Sequence, residues 1–446
     1  MIFAGGKVYT PGGLQEVDLH VAGGRIERLQ PWARPTGPEV VDATGLWVLP
    51  GAIDAHVHGR DPGFPLKEDF GTLTAAAAAG GVTTVLDMPN TLPGVADGET
   101  FEAKRQAIAA KAMVDHGLWA LLRSSSTEAQ VADLAAAGAI GFKAYLGYAV
   151  RRSTGQVMYS PGAAEPDLEP PASYGTIARL SGALAASGVP VAAHAEDPSI
   201  LLASSIRVED YADLLASRPA VAEAVAVSAL GALSRSLRLR VHIVHLSSAA
   251  GLASALAERA AGAELTLETC PQYLWLSDAD YTRLGPVMKM FPLIKSVADR
   301  EALRAALLRG DIDSVGTDHA PHTDEEKLHH PLAEAHAGSP GVQSLLLSCL
   351  ELARQSGDPL RAVPWVTEHP ARTFGLYPRK GTIQPGSDAD LVLLDPNGKT
   401  VLRAEEMISR QRLGALDGLE LSFAIRGVYL RGEAPATGRG EFLRPA

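Results

Sequence analysis

His56 and His58 stand one residue apart in "AIDAHVHGR", and "VGTDHAPH" at 315–322 gathers Asp318, His319 and His322. Side chains at i and i+2 of a strand leave the same face about 6 to 7 Å apart, close enough to share one cation. Neutral imidazoles and a carboxylate are ligands for a divalent metal, which polarises carbonyls and makes water nucleophilic. His194 ends "VPVAAH", and "VHIVHLSS" holds His242 and His245. Three apart on a strand, these last two point to opposite faces. His245, nearer the C-terminal end, is the expected ligand, and His242 a packing or supporting residue. Lys143 interrupts the apolar "GAIGFKAYLGY", where an uncompensated ammonium is costly. It reads either as a lysine that reaches solvent or a carboxylate, or as one carbamylated by CO2 into an anionic oxygen ligand. Asp318 reads either as the cap of the following turn or as a ligand whose second oxygen takes a proton from water. Singly, each residue has an ordinary explanation.

Their positions along the chain argue for the joint one. From about residue 50 to 370, apolar pieces alternate with Ala- and Leu-rich helical stretches such as "EAQVADLAAAG". The pieces are "AIDAHVH", "VTTVLDM", "GLWALL", "IGFKAYL", "VPVAAHA", "RVHIVHL", "ELTLETC" and "DSVGTDH". Eight near-continuous apolar strands separated by helices predict a parallel (β/α)8 TIM barrel, whose chemistry gathers at the C-terminal strand ends. His56, His58, Lys143, His194, His245 and Asp318 all fall in or at the ends of those strands. Both chain ends instead read as short strands with Gly and Pro turns. They predict a small β-sandwich domain of residues 1–49 and 377–446, with the barrel over 50–376. "GAAEPDLEPP" at 162–171 reads as an exposed loop on which a lid could be built.

The chain has 446 residues and a formal net charge of −11 without blocks of like charge, which argues against a nucleic-acid or anionic-membrane surface. Its 2 cysteines are too few for a thiolate zinc site and fit a reducing cytoplasm better than a disulfide scaffold. No leader-like region and no run of about 20 apolar residues is present, so a cytoplasmic protein is expected. A small anionic substrate would have to meet local positive charge.

The motifs "PGAIDAHVHGRDPG", "GGVTTVLDMPNTLP", "GFKAYLG", "HAED", "HIVHLSS" and "GTDHAPHTDEEK" resemble the cyclic amidohydrolases of the amidohydrolase superfamily, and dihydroorotase most closely. The resemblance implies two divalent metal ions, zinc being expected although the ligand types also suit manganese or cobalt. His56, His58 and Asp318 would hold one ion, His194 and His245 the other, and carboxylated Lys143, formed with CO2, would bridge them. Asp318 would be the catalytic residue, moving a proton from water to the leaving ring nitrogen. Arg60, Asn90 and His322 would bind a substrate carboxylate, for which the planar guanidinium is suited. The implied substrate is a small anionic cyclic amide, N-carbamoyl-L-aspartate and L-dihydroorotate being interconverted in pyrimidine biosynthesis. A homo-oligomer, dimer or tetramer, is the expected assembly, and some relatives dock with aspartate transcarbamoylase.

Two segments depart from dihydroorotase. "KMFPLIK" at 289–295 replaces its usual prolines, and "ETCPQYL" at 268–274 is closer to hydantoinases and allantoinases. The alternative is therefore a hydantoinase, dihydropyrimidinase or allantoinase acting on a related ring. A non-catalytic scaffold is the remote third reading, and the full ligand set speaks against it.

Overall fold

Eight short parallel strands carry the fold, as their buried, β-branched sequences require. In the computed structural model, which describes residues 1–33, 35–159 and 165–446, these are β1 (Ala52–Val57), β2 (Val82–Asp87), β3 (Asp115–Leu118 and Ala120–Leu122, broken at Trp119) and β4 (Phe142–Tyr145). They continue as β5 (Val191–His194), β6 (Val241–Ile243), β7 (Leu265–Thr269) and β8 (Ser314–Val315). Neighbouring strands pair in parallel from β1 to β8 in chain order, interrupted only at Trp119. The barrel closes just beyond β8, where His58 N donates to His319 O at 2.7 Å and His319 N to His56 O at 3.3 Å.

Helices lie between the strands, and their starts are set by local chemistry. Asp69, Asp97, Thr127 and Ser296 cap helices Phe70–Ala79, Gly98–Ala109, Glu128–Ala137 and Val297–Arg309, each in a reciprocal capping box. One stretch, Tyr211–Leu237, is long and apolar enough to cross a membrane. Arg218 and Pro219 break it into Tyr211–Ser217 and Ala220–Leu237, and the second helix packs Ala226, Val227 and Leu230 into the barrel core. An antiparallel insert after β4, built from Tyr148–Arg151, Val157–Tyr159 and Leu168–Glu169, rises beside the barrel mouth. Residues 162–164 of the expected lid loop lie outside the described residues. Leu168 and Glu169 are buried strand residues instead, because Glu169 accepts from Arg123, Ser124 and Ser125.

The two chain ends meet in one eight-stranded sheet that doubles over itself. The long strand Gly13–Ala22 joins its halves, pairing first with Lys7–Thr10 and then with Ile2–Ala4 and Arg25–Pro31. Phe3, Val8, Leu19, Val48, Leu391 and Leu393 fill the space between. Strand Trp47–Pro50 runs through Gly51 into β1, and a Cβ at Gly51 would lie 2.1 Å from Thr83 Oγ1. Lys380, buried below the barrel, pairs with Asp115 and with Asp388 and Asp390 at 2.9 and 2.6 Å. That ammonium fills what would otherwise be a cluster of three carboxylates.

Candidate metal centre

The barrel strands deliver their polar residues to one cavity of ≈ 920 Å³, whose lining includes all six expected metal ligands and Arg60, Asn90 and His322. His56 lies within β1 and His58 just past it. Lys143 lies within β4 and His194 ends β5. His245 stands two residues beyond β6 and Asp318 three beyond β8. Arg60, His245 and Asp318 hold positive φ values of 57°, 42° and 50°, in the region disfavoured for residues with a Cβ. Strain of this kind gathers where side-chain direction serves function, and three of the five non-glycine examples among the described residues are here.

The hydrogen bonds fix where the lone pairs point. His56 Nδ1 donates to Glu268 Oε1 at 2.9 Å and His58 Nδ1 to Asn90 Oδ1 at 2.6 Å. Both Nε2 lone pairs then face the same carboxylate oxygen, Asp318 Oδ1, at 3.3 and 3.0 Å. Three electron-rich atoms at that spacing repel unless a cation lies among them. Zinc–ligand bonds of about 2.0 to 2.1 Å place neighbouring ligands about 3 Å apart, so the triad fits a divalent ion. His194 Nε2 donates to Glu196 Oε2 at 2.8 Å, turning Nδ1 toward His245 Nε2 at 3.0 Å. The rings of His56 and His245 are 5.3 Å apart, which brings the two groups side by side.

Lys143 is fully buried, and its Nζ has no hydrogen-bond partner among the described residues. Burial lowers its pKa to about 8. An orphaned amine beside five ligand side chains is the feature that fits carbamylation, since the product would be anionic and the added oxygens would meet cations. Burial also holds His58 down to about 4 and lowers His194 and, strongly, His245, leaving these imidazoles neutral at pH 7. For Asp318, burial pushes upward, and His56, His58 and Lys143, when they carry a proton, outweigh it and hold the carboxyl below its usual value.

Several residues outside the expected set complete the centre. Glu268 bridges His56 and His242, the latter at 3.6 Å, and His242 also contacts Thr266 Oγ1 at 2.8 Å, so His242 supports the site from behind. Glu196 is gripped by Arg218. Tyr145 and Tyr148 line the cavity, and the Tyr145 hydroxyl is buried without a partner among the described residues. Asn90, expected at a substrate carboxylate, spends its carbonyl oxygen on His58. His322 lies at the opposite wall, 3.2 Å from both Arg60 Nη2 and Lys67 Nζ. Burial, then the charges of Arg60 and Lys67, drive its pKa well down, so it is a neutral imidazole. His319 faces away: its Nδ1 accepts from Gly341 N and Val342 N at 3.1 and 3.3 Å.

Residues 47–434 match the amidohydrolase family. An allantoinase of Rubrobacter xylanophilus is 35% identical, covering 100% of this chain and 97% of that one. A dihydroorotase of Pelotomaculum thermopropionicum is 34% identical, over 89% of each chain. Among solved structures, an L-hydantoinase (dihydropyrimidinase) from Arthrobacter aurescens superposes with a TM-score of 0.89 at 28% identity, covering 99% of this chain and 97% of that one. The dihydroorotase-like motifs thus occur in a chain similar over its full length to allantoinases and, at 32% identity over 98% of this chain and 94% of that one, to a dihydroorotase of Methanosarcina acetivorans. The chain belongs to the amidohydrolase family, in the branch that holds allantoinases, dihydroorotases and hydantoinases.

Proposed function

We propose that this protein hydrolyses a ring amide of a cyclic ureide, with an allantoin-type hydantoin as substrate. The observation that carries the hydrolytic reading is the facing of His56, His58 and Asp318 across one point, beside His194, His245 and the unpartnered amine of Lys143. The full-length likeness to allantoinases and the "ETCPQYL" segment favour the ring. His56, His58 and Asp318 would hold one divalent cation, His194 and His245 a second, and carboxylated Lys143 would bridge them. Bound there, the cations supply the Lewis acidity that makes water nucleophilic near neutral pH and polarises the scissile carbonyl. Asp318, ionised and at the mouth, accepts the proton of the attacking water through its free oxygen and returns it to the leaving ring nitrogen. Tyr145 and Tyr148 keep their protons, because burial raises both hydroxyls above their usual range, and they can donate to the oxygen that gains charge. Ring opening gives a single product, which carries the new carboxylate and the released nitrogen as the NH2 of a ureido group, and it leaves through the same mouth.

Dihydroorotate is the second reading, and Arg60 favours it. Its guanidinium is buried in the cavity wall with Nε unpartnered among the described residues, a site an anionic substituent would fill. One assay panel separates the two: purified protein with allantoin, hydantoin, dihydrouracil and dihydroorotate, each also with Arg60→Ala. The proposal expects allantoin to be preferred, with Arg60→Ala altering its KM little. Preference for dihydroorotate, with a KM raised at least tenfold by Arg60→Ala, would refute it. Allantoin chemistry also removes the reason to expect docking with aspartate transcarbamoylase.

A further inference from the structure

Arg218 presents a feature that the metal centre does not use. Its Nε and Nη2 grip Glu196, the Nε at 3.3 Å from Oε1, in the side-on geometry that leaves the remaining edge of the guanidinium free. The plane packs on Phe291 and Tyr159, with its central carbon 3.7 and 4.6 Å from the ring centroids. These contacts fix the group against rotation. Arg218 is 2% exposed and lines the same cavity as the metal ligands, yet its Nη1 has no hydrogen-bond partner among the described residues. A buried donor left unmet is unfavourable, so the site is completed by an acceptor from outside the chain.

Charge selects that acceptor. Glu196 already balances Arg218, so the free N–H belongs to a nearly neutral pair and suits a neutral carbonyl oxygen better than a carboxylate. Arg60 stands with Lys67 and neutral His322, and because Glu326 balances Lys67 at 2.8 Å the group keeps the one positive charge an anion would need. Position agrees, because Glu196 joins Arg218 to His194 and Arg218 lines the cavity that the expected metal ligands also line.

We infer that Arg218 Nη1 is a specificity donor for the carbonyl oxygen of a ureido or carboxamide arm on the ring. The inference rests on the allantoin-type reading and adds the residue that reads the arm. Its measure is the ratio of kcat/KM for allantoin to that for hydantoin, which lacks the arm. In Arg218→Lys the ammonium can still face Glu196 but the free donor is gone, and the ratio should fall by about 10- to 100-fold, mainly through the KM for allantoin. Glu196→Gln loosens both His194 and Arg218 and should lower metal retention and both rates as well as the ratio, whereas Arg218→Lys should move the ratio with metal retention unchanged. If Arg218→Lys does not fold, the wild-type enzyme gives the same test: a hydantoin whose arm has the carbonyl replaced by methylene should lose the same factor. A wild type that prefers dihydroorotate to allantoin overturns the substrate reading and this inference with it. A wild type that prefers allantoin, with the ratio unmoved by Arg218→Lys or by the methylene arm, overturns the inference alone.

Discussion

Carbamylation requires the neutral amine, so the burial of Lys143 sets how fast a stripped enzyme can be rebuilt. With its pKa lowered from 10.5 to about 8, the amine is neutral in about one molecule in ten at pH 7. At the ordinary value the figure would be about one in 3,000, so burial raises the reactive fraction by about 300-fold. The perturbation is removal of metal by a chelator in CO2-free buffer at low pH. Reactivation is then started with excess zinc at fixed dissolved CO2, and its initial rate is followed by ring-opening activity from pH 6 to 10. The rate should climb about tenfold from pH 6 to 7, bend near 8 and level above it. Native mass spectrometry should find the mass of one CO2 on the reactivated chain, and Lys143→Ala should recover neither metal nor activity. A rate indifferent to pH, one still climbing tenfold per unit at pH 10, or full recovery without CO2 would refute the reasoning.

Asp318→Asn should lower kcat by about 10² to 10⁴, the range for loss of a general acid–base group, while metal analysis still finds most of the metal, since His56 and His58 remain. Near-normal turnover would move proton transfer to another group. Glu268→Gln keeps an acceptor for His56 but loses its charge, and should weaken metal binding by about 10- to 100-fold, or about 1.4 to 2.7 kcal/mol, in a competition titration with a chelator. Unchanged affinity would show that Glu268 serves only the packing of β7.

The barrel was readable because buried strands leave continuous apolar runs, and each expected run coincides with an observed strand. The six expected ligands line one cavity because the fold sends the residues at one end of those runs to the same place. Their supports were not readable: Glu268 meets His56 across 212 positions, and no local pattern reports so distant a partner. A signal did exist, since Glu268 interrupts the apolar "ELTLETC" much as Lys143 interrupts its strand. Arg218 was hidden differently. It stands between two helices, where a charged residue ordinarily faces solvent, and Phe291 together with Tyr159 of the insert after β4 covers it. Asn90 was placed in the right cavity but on a different partner. Short motifs around Arg60 and His322 pointed to a carboxylate ring, whereas identity to the relatives reaches 36% for an allantoinase and 34% for a dihydroorotase.

The closing hydrogen bonds of the barrel run through the backbone of His56 and His58 on one side and of His319, next to Asp318, on the other. A cation shared by the side chains of His56, His58 and Asp318 would therefore clasp the first strand to the last, which lie 260 positions apart at His58 and Asp318. Assembly and competence become a single event. A chain that lacks the last strand has two histidines of that group and not the carboxylate that completes it. Conversely, the metal's binding energy acts at the seam where the finished cylinder would open first, and its loss should be felt as breathing of that seam before any other part of the wall gives way.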